Sequence, residues 1–518
     1  MCGLIVCENE NVEVRKTLLQ KRGPDAVAIV KTEEEAFIFN RLSIMDPGES
    51  GMQPFKINDH ILVCNGEIYN EMVLKKEITD YVFKSGSDCE VLLPLYLKFG
   101  TQFFSMLDAE FAIVLKDPIK GLIAGRDPIG IRPLFYGVTK TGKILFASEV
   151  KGLIGLCDKI VPFPPGHYYE NGVFKRYTDL NEDRKPKYFD RKLISNEIEL
   201  RLTNAVLKRL TSDAPIGFLL SGGLDSSLVC AIAQKAFNKP IRTFAIGMTD
   251  DPIDLKYAKI VSDYIGSNHT EVLMTKQEVI GCLNELIYNL ETYDITTIRA
   301  SIGMFILSRY IKKHTDIKVL LTGEVSDELF GYKYTDFAPD PESFQQESIK
   351  RMKELHQYDV LRADRCLASN SLEARVPFAD IAFVDYVMQI DPKLKMNTYQ
   401  MGKFLLRDAF KHTGLLPDQI LYRDKAAFSD AVGHSMVDHL KAFADEKYSD
   451  DEFLRKRPIY PNLEPFTKEA LLYMELFESH FPNHQHLIPG YWMPNKNWSN
   501  CQVNDPSARV LSYYGIFN

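Results

Sequence analysis

Two hydrophobic patterns divide the chain. Through its first third, short apolar runs recur at 26–30, 36–39, 61–64, 111–115, 121–124, 134–138 and 144–147, with polar turns bearing Gly and Pro between them. This predicts short strands in stacked antiparallel sheets, with one helix over 88–99 capped at Ser87 or Asp88. A charged stretch at 175–192 lacks helical or strand periodicity and predicts a boundary, so the units expected are 2–190 and 191–518. Beyond it the pattern alternates. Buried strands are expected at 215–220, 241–246, 269–274 and 318–322, and helices at 224–237, 254–265, 277–291 and 301–314. Alternation of this kind predicts an α/β unit with a parallel sheet. From 342 onward helical signals dominate, and the tail from 482 reads as loop.

Composition narrows the class. The 518 residues are 45% apolar and 25% charged, which excludes wholesale disorder and a fibrous repeat. Lys and Arg number 62 against 70 Asp and Glu, a net charge of −8 that argues against a nucleic-acid partner or a polybasic membrane patch. No apolar run approaches the ~18 residues of a membrane span. The first residues are apolar but lack a basic flank, so no signal peptide is expected. Nine cysteines without a C-x-x-C pair favour a reducing compartment, hence the cytoplasm. Cys7, Cys64 and Cys230 lie in apolar runs and read as core thiols, while His480, His484 and His486 read as plain surface histidines.

The amino terminus reads Met1-Cys2-Gly3. Methionine excision before a small residue leaves Cys2 with a free α-amine, a base near neutrality at its ordinary pKa of roughly 7.7–8.0. The thiol then carries its own proton acceptor. Lys21-Arg22-Gly23-Pro24-Asp25, Arg41-Leu42-Ser43, Asn65-Gly66-Glu67 and Ser85-Gly86-Ser87-Asp88 follow in that order. Arg41 suits a carboxylate, and Asp88 and Glu67 suit an ammonium. The Asn65 side chain and the Gly66 N–H suit an oxyanion hole.

Together these segments resemble the class II glutamine amidotransferase domain over about residues 2–165. The resemblance implies an N-terminal nucleophile fold of αββα layers. It also implies that Cys2 attacks the glutamine carboxamide and releases ammonia from a γ-glutamyl thioester. Glutamine contacts are implied for Arg41, Leu42, Ser43, Ile44 and Met45, for Asn65, Gly66 and Glu67, and for Asp88.

In the second unit Ser221-Gly222-Gly223-Leu224-Asp225-Ser226-Ser227 follows a strand and opens an apolar helix. Glycines admit phosphate to backbone N–H groups, and the helix start favours negative charge. No Walker A pattern is present. The segment resembles the PP-loop of enzymes that cleave ATP to AMP and pyrophosphate, with Asp225 a natural Mg²⁺ ligand. Further runs, Thr322-Gly323-Glu324-Val325-Ser326-Asp327, Leu372-Glu373-Ala374-Arg375-Val376-Pro377-Phe378 and Lys425-Ala426-Ala427-Phe428-Ser429-Asp430, make almost the whole chain similar to glutamine-hydrolysing asparagine synthetases. So do the stretch from Glu291 to Ser301 and the tail residues Tyr491-Trp492-Met493-Pro494.

That resemblance implies glutamine, aspartate and ATP as substrates, with aspartate activated as β-aspartyl-AMP and ammonia passing between two sites. It assigns ATP to Leu220, Ser221, Gly222, Gly223, Asp225, Ser226, Ile246, Thr322 and Gly323. Mg²⁺ falls to Asp225 and Asp327, and catalysis to Glu324 and Lys425. Homodimers are common among proteins of this kind. Lys21, Asn40, Thr322, Val325 and Ala426 depart from the family pattern. A β-branched Val325 where a glycine of positive φ is usual would cost of order 1–2 kcal/mol and move its loop. Rival readings are a β-lactam synthetase-like cyclase, which needs no Cys2, an N-terminal-nucleophile peptidase, which leaves the PP-loop unused, and a weakly active or non-catalytic regulatory relative.

Overall fold

Each strand expected in the first unit finds its partners in one of two antiparallel sheets. The computed structural model describes residues 1–518 apart from 181, 251, 399–400, 424–433, 500, 504 and 506–518. In the first sheet β1 (Gly3–Glu8) sits centrally, flanked by β3 (Glu35–Arg41) and then β2 (Ala26–Lys31). On its other side follow β9 (Ile144–Ala147), β8 (Phe135–Val138) and β10 (Ile160–Pro162). The second sheet runs β12 (Val173–Arg176), β11 (His167–Glu170), β7 (Gly121–Arg126), β6 (Ala109–Asp117), β5 (His60–Ile68) and β4 (Phe55–Ile57).

Side chains alternate across a strand. Leu4 and Val6 of β1 therefore join Phe37, Phe39, Val63 and Val114 between the sheets. Ile5 and Cys7 point the other way, into an apolar layer shared with Ile287, Leu290 and Leu367 of the second half. On the far side, Leu62 and Cys64 of β5 meet the helix Leu92–Phe99. The layers are thus helix, sheet, sheet, helix. β1 escaped the pattern analysis because Leu4-Ile5-Val6-Cys7 is buried on both faces and shows no alternation.

The second half carries a parallel sheet in the order β15 (Asn268–Met274), β14 (Arg242–Met248), β13 (Ile216–Leu219), β16 (Val319–Leu321), β17 (Glu373–Arg375). The chain leaves β13 in one direction for β14 and β15, then returns to the other side for β16. That switch point is where such sheets leave a ligand crevice at their carboxyl ends. Helices differ from expectation in four places. The one expected at 88–99 is a 3-10 turn, Asp88–Val91, running into the helix Leu92–Phe99, without a side-chain cap. The helix expected at 301–314 begins at Ile295, because Asp294 caps it by accepting from the Thr297 N–H at 2.8 Å. The one expected at 277–291 is two, Lys276–Gly281 and Leu283–Leu290, hinged at Cys282. A helix Arg191–Lys208, capped by Asp190, opens the second half. His484 also departs from expectation: it is buried, its ring 5.6 Å from that of His486.

The halves meet across buried charge. The Arg22 guanidinium, 1% exposed, forks onto Asp364 at 2.7 and 3.0 Å and reaches Glu149 at 2.8 Å. Arg365 ties Glu149 to Glu291 at 2.7 and 2.9 Å. A second set joins Glu110 to Arg132 and Arg209, and Glu373 to Arg375 and the Met1 ammonium, each at 2.9–3.0 Å. Although burial opposes ionisation, Lys151, Arg365 and Arg22 hold the Glu149 carboxyl well below its usual range.

Arg22→Ala leaves Asp364 as a buried carboxylate without its fork. We expect a loss of about 3–5 kcal/mol, seen as a lowered Tm in thermal unfolding. A Tm equal to that of the unsubstituted chain would contradict it.

Candidate active sites

Cys2 precedes β1, at the mouth of the first sheet. Its backbone N–H donates to Asn65 Oδ1 at 2.8 Å, its thiol lies 3.8 Å from the Leu42 carbonyl, and its own carbonyl accepts from Arg22 Nε at 3.0 Å. Burial pushes the thiol pKa up, so the sulfur is protonated and needs a base. Asn65, within β5, is fully buried, and its Nδ2 donor has no hydrogen-bond partner. A buried vacant donor beside a thiol suits a developing oxyanion.

The other glutamine-site candidates gather around these two. Asp88 Oδ2 accepts from the Ile68 N–H at 2.6 Å, and burial raises its carboxyl to about 6. Glu67 meets Arg375 of the second half at 3.0 Å, yet burial still lifts its pKa well above the usual range. Arg41 turns inward: it donates to the carbonyls of Gly48 at 2.6 Å and Met45 at 3.3 Å, and to that of Asp46. Here it shapes the loop that carries Ile44 and Met45. The Ser43 N–H donates to Asp25 at 2.8 Å, and Ser43's carbonyl accepts from Lys318 at 3.2 Å.

The second site lies beyond β13. Ser221 and Ser226 hydroxyls stand 3.0 Å apart, and the helix Leu224–Ala236 starts at Gly223. Gly222 has φ +71°, and a Cβ there would lie 2.4 Å from the Ala258 nitrogen, so no other residue fits. At Gly323 a Cβ would lie 2.8 Å from the Ser226 nitrogen. A cavity of about 230 Å³ is lined by Leu220, Ser221, Gly223, Asp225, Ser226, Ile246, Thr322, Gly323, Glu324 and Asp327, but not by Gly222. Glu324 is ion-paired with Arg362, and burial raises its carboxyl pKa.

Lys403 is the group that sequence reasoning missed. Its Nζ lies 2.8 Å from Asp225 Oδ1 and 2.9 Å from Ser326 Oγ, and it also pairs with Asp327. It is 3% exposed and sits in the left-handed region at φ +57°. Lys425 lies outside the described residues. Arg423, just before it, donates to the Gly222 carbonyl at 3.0 Å and to Asp254 at 2.8 Å, so the chain enters that stretch at the PP-loop.

The family model described as Asparagine synthase matches residues 197–341 and 334–509, and that described as Glutamine amidotransferase domain matches residues 1–166. The mouse protein named asparagine synthetase [glutamine-hydrolyzing] is 40% identical over 536 residues, 95% of this chain and 94% of that one. Asparagine synthetase 3 of Arabidopsis thaliana is 40% identical over 514 residues, covering 93% and 88%. Asparagine synthetase 2 of Oryza sativa subsp. japonica is 42% identical over 489 residues, covering 90% and 81%. The chain belongs to the asparagine synthase family.

Within this asparagine synthase fold the departures find physical places. Lys21 pairs with Glu285 at 3.0 Å, and Asn40 Nδ2 donates to the Lys16 carbonyl at 3.0 Å. Val325 has φ +78° and ψ −16°, a backbone strained for a β-branched residue, and is buried against Leu329 and Phe330. The loop holds nonetheless. Ser326 Oγ donates to Asp225 at 2.8 Å, and the Thr322 N–H donates to the Arg375 carbonyl at 3.1 Å. Apolar burial offsets the strain.

Two predictions follow from the two sites. At position 325, Gly relieves the strain that Ala retains, so Val325→Gly should be more stable than Val325→Ala by about 1 kcal/mol, reversing the usual order. Paired thermal melts check it. At the first site, an ammonium partner requires Asp88 ionised. The kcat/KM for glutamine should therefore fall as pH drops below about 6, the value to which burial raises Asp88. A profile flat through that range would refute the assignment.

Proposed function

We propose that this chain makes asparagine from aspartate, taking nitrogen from glutamine and energy from the cleavage of ATP to AMP and pyrophosphate. The observation that carries the reading is the co-occurrence, in one asparagine synthase chain, of a half-buried Cys2 hydrogen-bonded to a buried Asn65 and a PP-loop crevice at the switch point of a parallel sheet. The proposed division of labour is residues 2–190 for glutamine and 191–518 for ATP and aspartate.

In the first reaction Cys2 acts once Met1 is removed, its freed α-amine taking the thiol proton. The sulfur bonds to the carboxamide carbon, the C–N bond breaks, and ammonia leaves; water then cleaves the thioester to glutamate. Asn65 Nδ2 and the Gly66 N–H receive the oxyanion. Asp88 and Glu67 hold the substrate ammonium, and the 41–45 segment, Arg41 to Met45, frames the remainder.

In the second reaction an oxygen of the aspartate β-carboxylate bonds to the α-phosphorus and pyrophosphate leaves. Ammonia then bonds to the acyl carbon, AMP departs, and asparagine results. Catalysis of this kind is positioning and charge neutralisation. The PP-loop amides, Lys403 and Lys425 face the pyrophosphate in this reading, and Glu324 orients the acyl group or takes a proton from ammonia.

Asp225 and Asp327 converge on one cation, the Lys403 ammonium, and two carboxylates beside phosphate oxygens are a donor set that fits Mg²⁺. Bound there, the ion would supply charge neutralisation for the leaving pyrophosphate. Among the described residues no helix is long and apolar enough to cross a membrane, and all nine cysteines are unpaired. A cytosolic homodimer belongs to the same proposal.

Cys2→Ala should lose glutaminase activity and glutamine-driven synthesis yet keep synthesis from added ammonia. Asp225→Asn should spare glutaminase and lose both syntheses. Assays of glutamate, AMP and asparagine on purified protein distinguish these outcomes. ADP as the nucleotide product, or joint collapse of both reactions in either variant, would overturn the scheme.

A further inference from the structure

The PP-loop cavity is closed on one side by a segment that none of the chemistry above uses. Trp492, Asn495 and Trp498 line it, although they lie some 270 residues from the PP-loop in sequence. Side chains from three helical segments hold this strap. At the start of the helix Ile295–His314, Asp294 Oδ1 accepts from the Trp492 N–H at 2.7 Å and Thr296 Oγ1 donates to its carbonyl at 3.2 Å. From the helix Pro341–Glu354, Arg351 donates to the Met493 carbonyl at 2.7 Å and lays its guanidinium over the Trp492 ring at 4.4 Å. Glu347 of the same helix accepts from Asn495 Nδ2 at 3.1 Å. Before the helix Asp359–Ala368, the Tyr358 hydroxyl donates to the Gly490 carbonyl at 3.0 Å. The Trp492 ring also packs 5.5 Å from that of Tyr334.

The cavity's two ends differ in chemistry. One is the phosphate end, with the PP-loop, Asp327 and Lys403, and the tips of β13 and β14 beside it for a base. Around the strap the lining is Thr296, Tyr332 and Trp492, with Arg351 ion-paired to Glu347 and Arg362 ion-paired to Glu324 and Asp359. Hydroxyls, aromatic faces and guanidinium groups alternating with carboxylates suit a small zwitterionic acid, which carries both charges, better than a purine or a phosphate chain.

We infer that residues 490–498 complete the subsite of the carboxylate substrate, with Trp492 sealing it against water while the acyl-adenylate exists. The inference rests on the adenylation reading above. In an unsealed site a water oxygen bonds to the acyl carbon, AMP leaves with the C–O electron pair, and the free acid returns, so ATP is consumed without amide formation.

The test uses full-length Trp492→Ala with added ammonia as nitrogen source, which takes Cys2 out of the measurement. The KM for aspartate should rise on the order of tenfold while that for ATP stays within about twofold. The ratio of AMP to asparagine should rise above that of the unsubstituted chain, and glutaminase should be unchanged. Trp492→Phe, which keeps an aromatic wall, should return the ratio toward the original. Should Trp492→Ala fail to fold, Tyr358→Phe removes a single strap hydrogen bond and should shift both readouts in the same direction. Equal rises in the two KM values, or an unaltered ratio in a folded variant, overturn the inference. An unsubstituted chain that forms no AMP from ATP and aspartate overturns the parent reading instead.

Discussion

Buried charge along the seam between the halves constrains everything else in this protein. Removing a carboxylate or guanidinium from water costs several kcal/mol per ion unless a partner accompanies it. Here the partners come from opposite halves: Arg22 with Asp364, Glu110 with Arg209, Glu67 with Arg375. Parting the halves would expose or orphan every one of them. The same residues touch both chemistries. Arg22 also holds the Cys2 carbonyl, and the Arg375 backbone accepts from Thr322 at the PP-loop cavity. The two sites are therefore held at a fixed relation by groups that cannot be rehydrated cheaply.

Within the PP-loop cavity, charge and strain are arranged around Asp225. Its carboxylate is met by Lys403 and Ser326, and Val325 keeps a left-handed backbone that glycine would adopt without cost. Packing of the Val325 side chain against Leu329 and Phe330 compensates for that conformation. The departure from the family pattern thus changes how the loop is stabilised while leaving Ser326 and Asp327 in contact with their partners.

Legibility in the sequence followed the range of the physics involved. Alternation, turn residues and glycine-rich loops are local, so most strands and the PP-loop were readable. β1 was not, since burial on both faces removes alternation, and β17 was not, since Glu373 and Arg375 are charged and become strand only through pairing with β16. The helix at Ile295 was placed late because its cap, Asp294, sits in a run that reads as a motif rather than as a helix start.

What the sequence determined by itself was the kind of chemistry: a near-terminal thiol with its recognition segments, and a phosphate loop with acidic companions, each encoded by neighbours a few residues apart. Tertiary structure alone decided which distant groups complete those sites. Lys403 reaches Asp225 across 178 positions, Arg375 reaches Glu67 across the seam, and Trp492 closes a cavity begun at Ser221. Burial lifts Asp88 and Glu67 above their ordinary ranges for the same reason. Desolvation and ion pairing depend on what packs around a group in space, and no local pattern records that.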